Sequence, residues 1–339
     1  MALTTSPPFV AELAAKVLAG DRRALGRAIT LVESSHPEDR APGDRLLDAL
    51  APHAGKSIRI GISGVPGVGK SMLIEALGNH VIGRGHRVAV LAVDPSSALS
   101  GGSILGDKTR METLAKRLEA FIRPSPAGRT LGGVARHTRE TMLIVEAAGF
   151  DVLIVETVGV GQSETAVADM TDMFMLLLLP GGGDELQGIK RGIVELADLV
   201  VVNKADGAMA AAAGRSAAEY RNALRYLRQR SARWEVPVET CSALEKRGID
   251  ALWTLIERYR ATMTASGDLQ QTRAAQARKW LHSETAENLM DMLKEDPEVA
   301  SRMADLERAV SAGRSAPRTA AHELVEKLWK HKNGKNEKS

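Results

Sequence analysis

The stretch GVPGVGKS at residues 64–71 decides the fold of this chain. It matches the pattern G-x-x-x-x-G-K-[ST], which binds phosphate where it joins a strand to a helix. The run SIRIGIS at 57–63 alternates β-branched residues and predicts the strand, and the apolar spacing of 71–81 predicts the helix. The glycines therefore stand at a strand-to-helix turn, where backbone N–H groups and the helix N-terminus favour a bound phosphate.

The residues of this phosphate loop have expected contacts with a nucleotide. Lys70 is expected to reach the β- and γ-phosphates, and the Ser71 hydroxyl is expected to ligate Mg²⁺. Lys70 is also a predicted catalytic residue, because a fixed cation stabilises charge on the transferring phosphoryl group. The other predicted nucleotide-contacting residues of this segment are Gly64, Val65, Pro66, Gly67, Val68, Gly69 and Met72.

Outward from the loop, residues 57–262 alternate short apolar runs with longer helical patterns. Runs that are apolar on both faces and separated by helices indicate a mainly parallel sheet flanked by helices. The predicted fold class is therefore α/β, a P-loop NTPase with its ligands at the carboxyl ends of the strands. The predicted strands are 58–63, 87–93, 152–156, 173–179, 199–203 and 236–240.

Helical patterns flank the predicted sheet. From 10 to 50 the apolar residues recur at helical spacing, with Asp21 as an N-cap and with interruptions expected at His36-Pro37 and Ala41-Pro42-Gly43. After Gly267 no strand pattern returns, and heptad-like spacing over 299–310 favours helices that join two copies of the chain. The predicted divisions are a helical N-terminal extension at 1–55, a P-loop domain at 56–265 and a helical C-terminal dimerisation arm at 266–339.

The composition is that of a globular protein, with 44% hydrophobic and 26% charged residues among 339. The net charge of +3 is concentrated near the C-terminus, and an aromatic content of 3% leaves few rings for base stacking, so no nucleic-acid partner is expected. The only cysteine, Cys241, is compatible with a reducing compartment. No apolar run approaches the roughly 20 residues of a membrane span. We expect a cytoplasmic protein without membrane attachment.

A second motif, Asn203-Lys204-Ala205-Asp206, follows the apolar run 199–202. The Asp206 carboxylate can accept hydrogen bonds from guanine N1–H and N2–H₂, which adenine cannot supply, while Asn203 holds the loop and Lys204 covers the base. Ser242-Ala243-Leu244, after the last predicted strand, is expected to complete the base pocket through its backbone N–H groups. Together with the phosphate loop, this motif favours GTP as substrate and GDP as product.

Carboxylates follow two other predicted strands and indicate a metal site. Glu156 ends the run 152–156, and Asp94 follows the run 87–93. An acidic residue at this sheet edge holds Mg²⁺ directly or through water in P-loop NTPases. Asp107, in a Ser- and Gly-rich stretch, is a third candidate, and the inner or outer rank of the three carboxylates stays open. The alternative for Glu156 is a structural ion pair with an arginine.

Two segments bear on catalysis. Glu156 and Gly159 are predicted catalytic residues, because the glycine N–H can meet the γ-phosphate. Val160 stands where many GTPases have a water-orienting Gln, so we expect slow unassisted hydrolysis. In PGGGDELQGIKRG at 180–192, Asp184 and Lys190 are predicted to move toward the nucleotide, although a plain surface loop is the alternative.

These motifs together resemble the methylmalonyl-CoA mutase-associated GTPases, a group once described as ArgK-type transport ATPases. The resemblance covers nearly the whole chain, and its most specific segments are ETVGVGQSE at 156–164 and PGGGDELQGIK at 180–190. It implies a GTPase chaperone of an adenosylcobalamin-dependent acyl-CoA mutase, which gates cofactor loading and protects or reactivates the mutase. It also implies a homodimer joined through the C-terminal arm. The residues by themselves indicate a Mg²⁺-dependent GTPase, and the client depends on the resemblance.

Two other classes share the fold. A nickel-delivering metallochaperone GTPase would need Cys and His ligands near its nucleotide loops, and the chain has one cysteine and eight scattered histidines. A transport-coupled kinase would need a phosphoacceptor, and no phosphorelay histidine is evident. His80-Val81-Ile82-Gly83 has half of a cobalamin-ligating motif but lacks the preceding Asp, so we interpret His80 as a helical residue.

Overall fold

The computed structural model describes residues 7–34, 36–93, 111–124, 131–157, 163–181, 191–226 and 230–336. Contacts along the chain define two units, Met1–Arg273 and Ala274–Ser339. Within the described residues, seven strands of the first unit form one parallel sheet. The strands are β1 (Ile58–Gly64), β2 (Val88–Val93), β3 (Ala120–Arg123), β4 (Val152–Thr157), β5 (Met173–Leu178), β6 (Leu199–Val202) and β7 (Val238–Thr240).

The order of the strands places the phosphate-loop strand in the middle of the sheet. The order is β3-β2-β4-β1-β5-β6-β7, so β1 lies between β4 and β5. Because all pairs are parallel, the segments after β1, β4, β6 and β7 leave the sheet at the same edge. This is the fold class that the alternating apolar runs predict.

Strand β3 was not among the predicted strands. It has four residues, Ala120–Arg123, and β2 is its one partner among the strands that the structure describes. Its inner residue Ala120 is buried, but the next three are only half-buried, so the apolar run is too short and too exposed to stand out from its neighbours. Pairing with β2, rather than local sequence, makes this segment a strand.

Helices cover both faces of the sheet. The described helices of the first unit are α1 (Pro7–Leu18), α2 (Arg22–Val32), α3 (Pro37–Leu50), α4 (Lys70–Gly83), α5 (Glu112–Ala115), α6 (Leu131–Ala147), α7 (Ser163–Ala168), α8 (Arg191–Val194), α9 (Ala210–Leu224) and α10 (Ile249–Ser266). Alternate strand residues pack on opposite layers, since Ile154 contacts the cluster that includes α4 and α10 while Leu153 contacts the cluster of α1, α2, α3 and α6. This two-sided burial is why the strands read as continuous apolar runs.

The N-terminal helices follow the predicted capping but not one predicted interruption. The Asp21 carboxylate accepts hydrogen bonds from the N–H groups of Arg23 and Ala24, both at 2.8 Å, and so caps α2. The expected break at Ala41-Pro42-Gly43 is wrong, because Pro42 lies inside α3. Pro42 removes one hydrogen bond from the interior of α3, and both Pro42 and Gly43 are buried, with Gly43 close to Leu31 and Val32 at the end of α2. Tertiary packing therefore outweighs the local signal.

The edge of the sheet opposite to the phosphate loop carries a buried ionic network. The Arg59 guanidinium contacts both oxygens of Glu146 at 2.8 Å. The Asp172 carboxylate is fully buried and accepts from the Arg59 N–H at 2.8 Å and from Arg273 at 2.8 and 2.6 Å. Arg273 also donates to the carbonyls of Gly55 (2.5 Å) and Ser57 (2.6 Å). The first unit therefore extends beyond α10 to include Arg273.

A second buried carboxylate lies at the same edge. Asp198 accepts hydrogen bonds from the Phe174 N–H at 2.8 Å and from Arg230 at 2.9 Å. Burial raises the pKa of Asp198 to about 6, although the guanidinium of Arg230 opposes the shift. This carboxyl therefore titrates near the lower end of the physiological range.

The second unit is helical, as the sequence predicts. It contains the later part of α11 (Asp268–Glu295), α12 (Pro297–Ser311) and α13 (Pro317–Asn336). Leu293, Val299 and Leu328 form its buried cluster. Several of its large apolar side chains are exposed: Leu281, Leu289, Met290, Val325 and Trp329. Across the described part of the chain, every helix is too short or too polar to cross a bilayer.

Candidate nucleotide-binding site

The turn between β1 and α4 has the backbone that a phosphate loop requires. Gly67 and Gly69 have φ of +80° and +93°, a left-handed region that other residues adopt at a cost. An ideal Cβ on Gly69 would lie 2.6 Å from Asn203 Nδ2, and one on Gly64 would lie 2.6 Å from the Leu177 carbonyl. The loop thus needs glycine for two reasons: its backbone dihedral angles, and its close approach to Asn203 and to the Leu177 carbonyl.

The Lys70 side chain lies within the loop that precedes it. Only 9% of Lys70 is exposed, and its Nζ donates to the Gly64 carbonyl at 2.8 Å. Val68 is fully buried, whereas Pro66 and Gly67 are exposed at the crest of the loop. Lys70 begins the fourteen-residue helix α4, so its ammonium adds to the positive end of the helix dipole. A phosphate group in this loop would meet the ammonium, the helix N-terminus and the loop N–H groups together.

Ser71 and Glu156 come from neighbouring elements and face each other. The Ser71 hydroxyl donates to Glu156 Oε1 at 3.4 Å, and Glu156 is 6% exposed near the end of β4. The register pairs Glu156 with Ile62 of β1, which fixes the carboxylate beside the phosphate loop. Next to this pair, the Thr157 hydroxyl donates to the Ser63 hydroxyl at 3.0 Å.

A hydroxyl and a carboxylate oxygen at this separation fit Mg²⁺. This ion prefers hard oxygen ligands and usually takes one or two protein groups together with substrate phosphates and water. The described residues contain no group of three or more His, Cys, Asp or Glu side chains suited to a metal. A metal bound at Ser71 and Glu156 would polarise the terminal phosphates and neutralise their charge.

The Asn203-to-Asp206 loop follows β6 at the same sheet edge. Asn203 is 1% exposed and its Nδ2 donates to the Val68 carbonyl at 2.8 Å. Its Oδ1 accepts from the Ala243 N–H at 3.2 Å and from the Cys241 thiol at 3.3 Å. Asn203 thus joins the phosphate loop, its own loop and the segment after β7.

The Asp206 carboxylate is held by a neighbouring side chain. The Ser242 hydroxyl donates to Asp206 Oδ2 at 2.5 Å and accepts from the Glu245 N–H at 3.0 Å. Asp206 is half-buried, and Lys204, two residues earlier, is exposed with a left-handed φ of +58°. The carboxylate therefore has a defined position from which it can accept hydrogen bonds from a base.

The structure also shows the surroundings of two predicted base-pocket residues, Ala243 and Leu244, and of two residues of the phosphate-loop segment, Val65 and Met72. The Ala243 N–H, assigned to the base by the sequence, donates to Asn203. Leu244 is 68% exposed and Met72 is 47% exposed, while Val65 packs partly buried against the core. Five predicted site residues lie outside the residues that the structure describes: Asp94, Asp107, Gly159, Asp184 and Lys190.

Cys241 and Arg247, which the sequence does not assign to the site, both contact its loops. Cys241 is buried, burial raises the pKa of its thiol to about 12, and the protonated thiol donates to Asn203. Arg247 donates to the Ala205 carbonyl at 2.5 Å. Both residues contact the loop after β6 only because β6 and β7 lie side by side, which the sequence does not show. Their closeness in sequence to Ser242-Ala243-Leu244 is the one feature that could have indicated a role in the site.

A phosphate loop and an Asn-Lys-x-Asp loop, joined through Asn203 at one edge of a parallel sheet, define the class of P-loop GTPases. Residues 25–298 match the family model described as methylmalonyl Co-A mutase-associated GTPase MeaB. The chain belongs to this family. It binds guanine nucleotides and hydrolyses GTP, as the fold and the named relatives show together.

Relatives of the chain align along most of their length. The chain is 56% identical over 310 residues to a putative GTPase of Caulobacter vibrioides, covering 91% of this chain and 95% of that protein. It is 46% identical to the mitochondrial methylmalonic aciduria type A homolog of Mus musculus, covering 96% and 80% respectively. A solved structure described as a LAO/AO transport system kinase is 41% identical with a TM-score of 0.75, covering 97% and 100%.

Proposed function

We propose that this GTPase is the chaperone of an adenosylcobalamin-dependent acyl-CoA mutase. In this role it gates the loading of the cofactor and protects or reactivates the mutase in the cytoplasm. The observation that carries the proposal is the family match over residues 25–298, because the family description names the mutase. The similarity to the methylmalonic aciduria type A homolog of mouse supports the same client.

Within this function, the residues have separate proposed roles. The loop at 64–71 with Met72 binds the phosphates, Lys70 stabilises the transferring phosphoryl group, and Ser71 and Glu156 hold Mg²⁺. The distance of 3.4 Å between the Ser71 and Glu156 oxygens supports the metal role. Base recognition is proposed for Asn203, Lys204, Asp206, Ser242, Ala243 and Leu244. Further proposed roles, in metal binding or hydrolysis, belong to Asp94, Asp107, Gly159, Asp184 and Lys190.

The base assignment is tested by Asp206→Asn. An amide cannot accept both guanine N–H groups, but it can donate to the 2-carbonyl of xanthine. We expect the variant to lose affinity for GTP and to gain affinity for xanthosine triphosphate. An affinity for GTP within about twofold of the wild-type value would reject the assignment, since one lost charge-assisted hydrogen bond costs more than that.

We also propose that residues 266–339 form a homodimerisation arm, beside an N-terminal extension at 1–55 and a GTPase domain at 56–265. The exposed apolar side chains of the second unit support an interface there, since Leu281, Val325 and Trp329 are each more than 60% exposed. Light scattering of the full chain and of a chain that ends at Arg273 tests this assembly, because the shorter chain keeps the contact between Arg273 and the buried Asp172. A dimer that persists without the arm would move the interface to the first unit.

The client is tested by pull-down of a purified acyl-CoA mutase with the GTPase loaded with GDP or with a non-hydrolysable GTP analogue. We expect nucleotide-dependent capture and faster GTP hydrolysis in the presence of the mutase. Lys190→Ala and Asp184→Ala should reduce the stimulation, because phosphoryl transfer depends on positioned charge. Mutase that neither binds nor stimulates would overturn the proposal.

A transport-coupled kinase is the second candidate, favoured by the description of the 41% identical solved structure as a LAO/AO transport system kinase. Incubation with γ-labelled GTP or ATP and a solute-binding protein distinguishes the two, since only a kinase transfers the label to a protein. The nickel metallochaperone alternative predicts stoichiometric nickel in the purified protein, measured by elemental analysis.

A further inference from the structure

The segment after β7 forms a small closed loop from Ser242 to Arg247. The backbone N–H of each of these two residues donates to the carbonyl of the other, at 3.0 Å in both directions. Inside the loop, Ser242 Oγ accepts from the Glu245 N–H at 3.0 Å, and Lys246 has a left-handed φ of +56°. Loop closure therefore brings the Arg247 side chain back beside the start of the loop.

The Arg247 guanidinium reaches from this loop to the Asn203-to-Asp206 loop. Its Nη2 donates to the Ala205 carbonyl at 2.5 Å, and the Ala205 N–H donates to the Cys241 carbonyl at 2.9 Å. Both backbone polar groups of Ala205 are thus bound to the segment 241–247. Asp206 is the next residue, so the backbone that carries its carboxylate is held just before it.

The ion pair between Arg247 and Glu245 does not by itself explain the position of the Arg247 side chain. The same Nη2 lies 3.2 Å from Glu245 Oε2, but the two side chains are 60% and 47% exposed, and ion pairs so exposed contribute little to stability. The contact with the Ala205 carbonyl differs, because a charged donor to a backbone carbonyl links two loops that are 42 residues apart in the chain. The geometry therefore indicates a role in shaping the base pocket.

We propose that Arg247 is a positioning residue for guanine specificity. It holds the Ala205 carbonyl so that the Asp206 carboxylate, already bound through Oδ2 to the Ser242 hydroxyl, presents its acceptors to both N1–H and N2–H₂ of guanine. The inference rests on the proposed role of Asp206. Without Arg247 the Asp206 carboxylate keeps its hydrogen bond from Ser242, but the backbone that precedes it loses the contact at the Ala205 carbonyl.

The test compares the dissociation constants of GDP and IDP, because IDP lacks the exocyclic amine and keeps N1–H. Arg247→Ala should reduce the preference for GDP over IDP by about fivefold, the equivalent of one net hydrogen bond. Arg247→Lys should recover part of the preference, since an ammonium can still donate to one carbonyl. Arg221→Ala is the matched control: Arg221 donates to the Val238 carbonyl at 2.7 Å, outside both base loops, and its loss should leave the ratio unchanged.

Asp206→Ala separates this inference from the base assignment itself. If Asp206→Ala leaves the ratio of GDP to IDP affinity intact, the base assignment fails and the role of Arg247 fails with it. If Asp206→Ala abolishes the preference while Arg247→Ala behaves like Arg221→Ala, only the Arg247 inference is overturned. An equal loss of GDP and IDP affinity in Arg247→Ala also overturns it, because a general loosening of the loop would weaken both ligands alike.

Discussion

Asn203→Ala should reduce both the stability of the protein and its affinity for guanine nucleotides. The change removes the hydrogen bond to the Val68 carbonyl at 2.8 Å and those from Ala243 (3.2 Å) and Cys241 (3.3 Å). Two of the abandoned partners are backbone groups in a region where Asn203 is 1% exposed, so water does not readily replace the amide. At about 1–3 kcal/mol for each of these two unsatisfied buried groups, the free energy of unfolding should fall by about 2–6 kcal/mol.

The same substitution should weaken guanine-nucleotide binding, because Asn203 holds the phosphate loop and the base loops in one arrangement. A loss equivalent to one or two net hydrogen bonds corresponds to about a fivefold to thirtyfold rise in the dissociation constant for GDP. Urea denaturation measures the stability, and fluorescence titration with a labelled GDP measures the affinity. Asn203→Asp adds a test of the donor, since it keeps an acceptor for Ala243 but turns an oxygen toward the Val68 carbonyl.

Asn79→Ala is the matched control for this experiment. Asn79 also makes side-chain hydrogen bonds, to the Glu75 carbonyl at 2.8 Å and to the Thr113 hydroxyl at 2.9 Å, but it lies on α4 away from the base loops. The Asn79→Ala variant should be somewhat less stable than the wild type but should keep its affinity for GDP. If the Asn203→Ala and Asn79→Ala variants have the same dissociation constant for GDP, Asn203 does not organise the nucleotide site.

Three further outcomes are expected. Lys70→Ala should abolish GTP hydrolysis but leave the protein folded, because the variant lacks the ammonium that stabilises charge on the transferring phosphoryl group, and this loss raises the activation barrier by several kcal/mol. Turnover with an unchanged circular dichroism spectrum would contradict this expectation. A chain ending at Arg273 should be more stable to urea than one ending at 266, by about 3 kcal/mol or more, because the shorter chain leaves the fully buried Asp172 carboxylate without Arg273; equal midpoints would show that the ion pair contributes nothing. Asp198→Asn tests how the stability of the fold depends on pH. The pKa of Asp198 in the folded protein, about 6, lies above the ordinary 3.8, so the stabilisation that this shift provides is fully present below about pH 4 and is lost as the pH rises through 6. The stability of the wild type relative to Asp198→Asn should therefore fall between pH 4 and 7, by about 3 kcal/mol at most, and a constant difference would refute the shift.

The sequence alone determined the features that depend on neighbouring residues. The phosphate loop is encoded within residues 64–71, since positive φ at Gly67 and Gly69 and the start of α4 are local properties. Six of the strands could be predicted from apolar runs, and five of them, β1, β2, β4, β5 and β6, are continuous runs because these strands are buried on both faces. Their parallel arrangement was also enough to bring the segments after β1, β4 and β6 to one edge, and so to indicate a GTPase.

Only the tertiary structure decided the contacts between distant segments. Asn203 meets Val68 across 135 residues of chain, and Arg247 meets Ala205 across 42, because β6 lies beside β7 and next but one to β1. The edge strand β3 and the uninterrupted helix α3 around Pro42 were likewise set by their neighbours, which offset weak or opposing local signals. A periodic pattern reports which side of an element is buried but not which element covers it, and hydrogen-bond partners depend on that second fact.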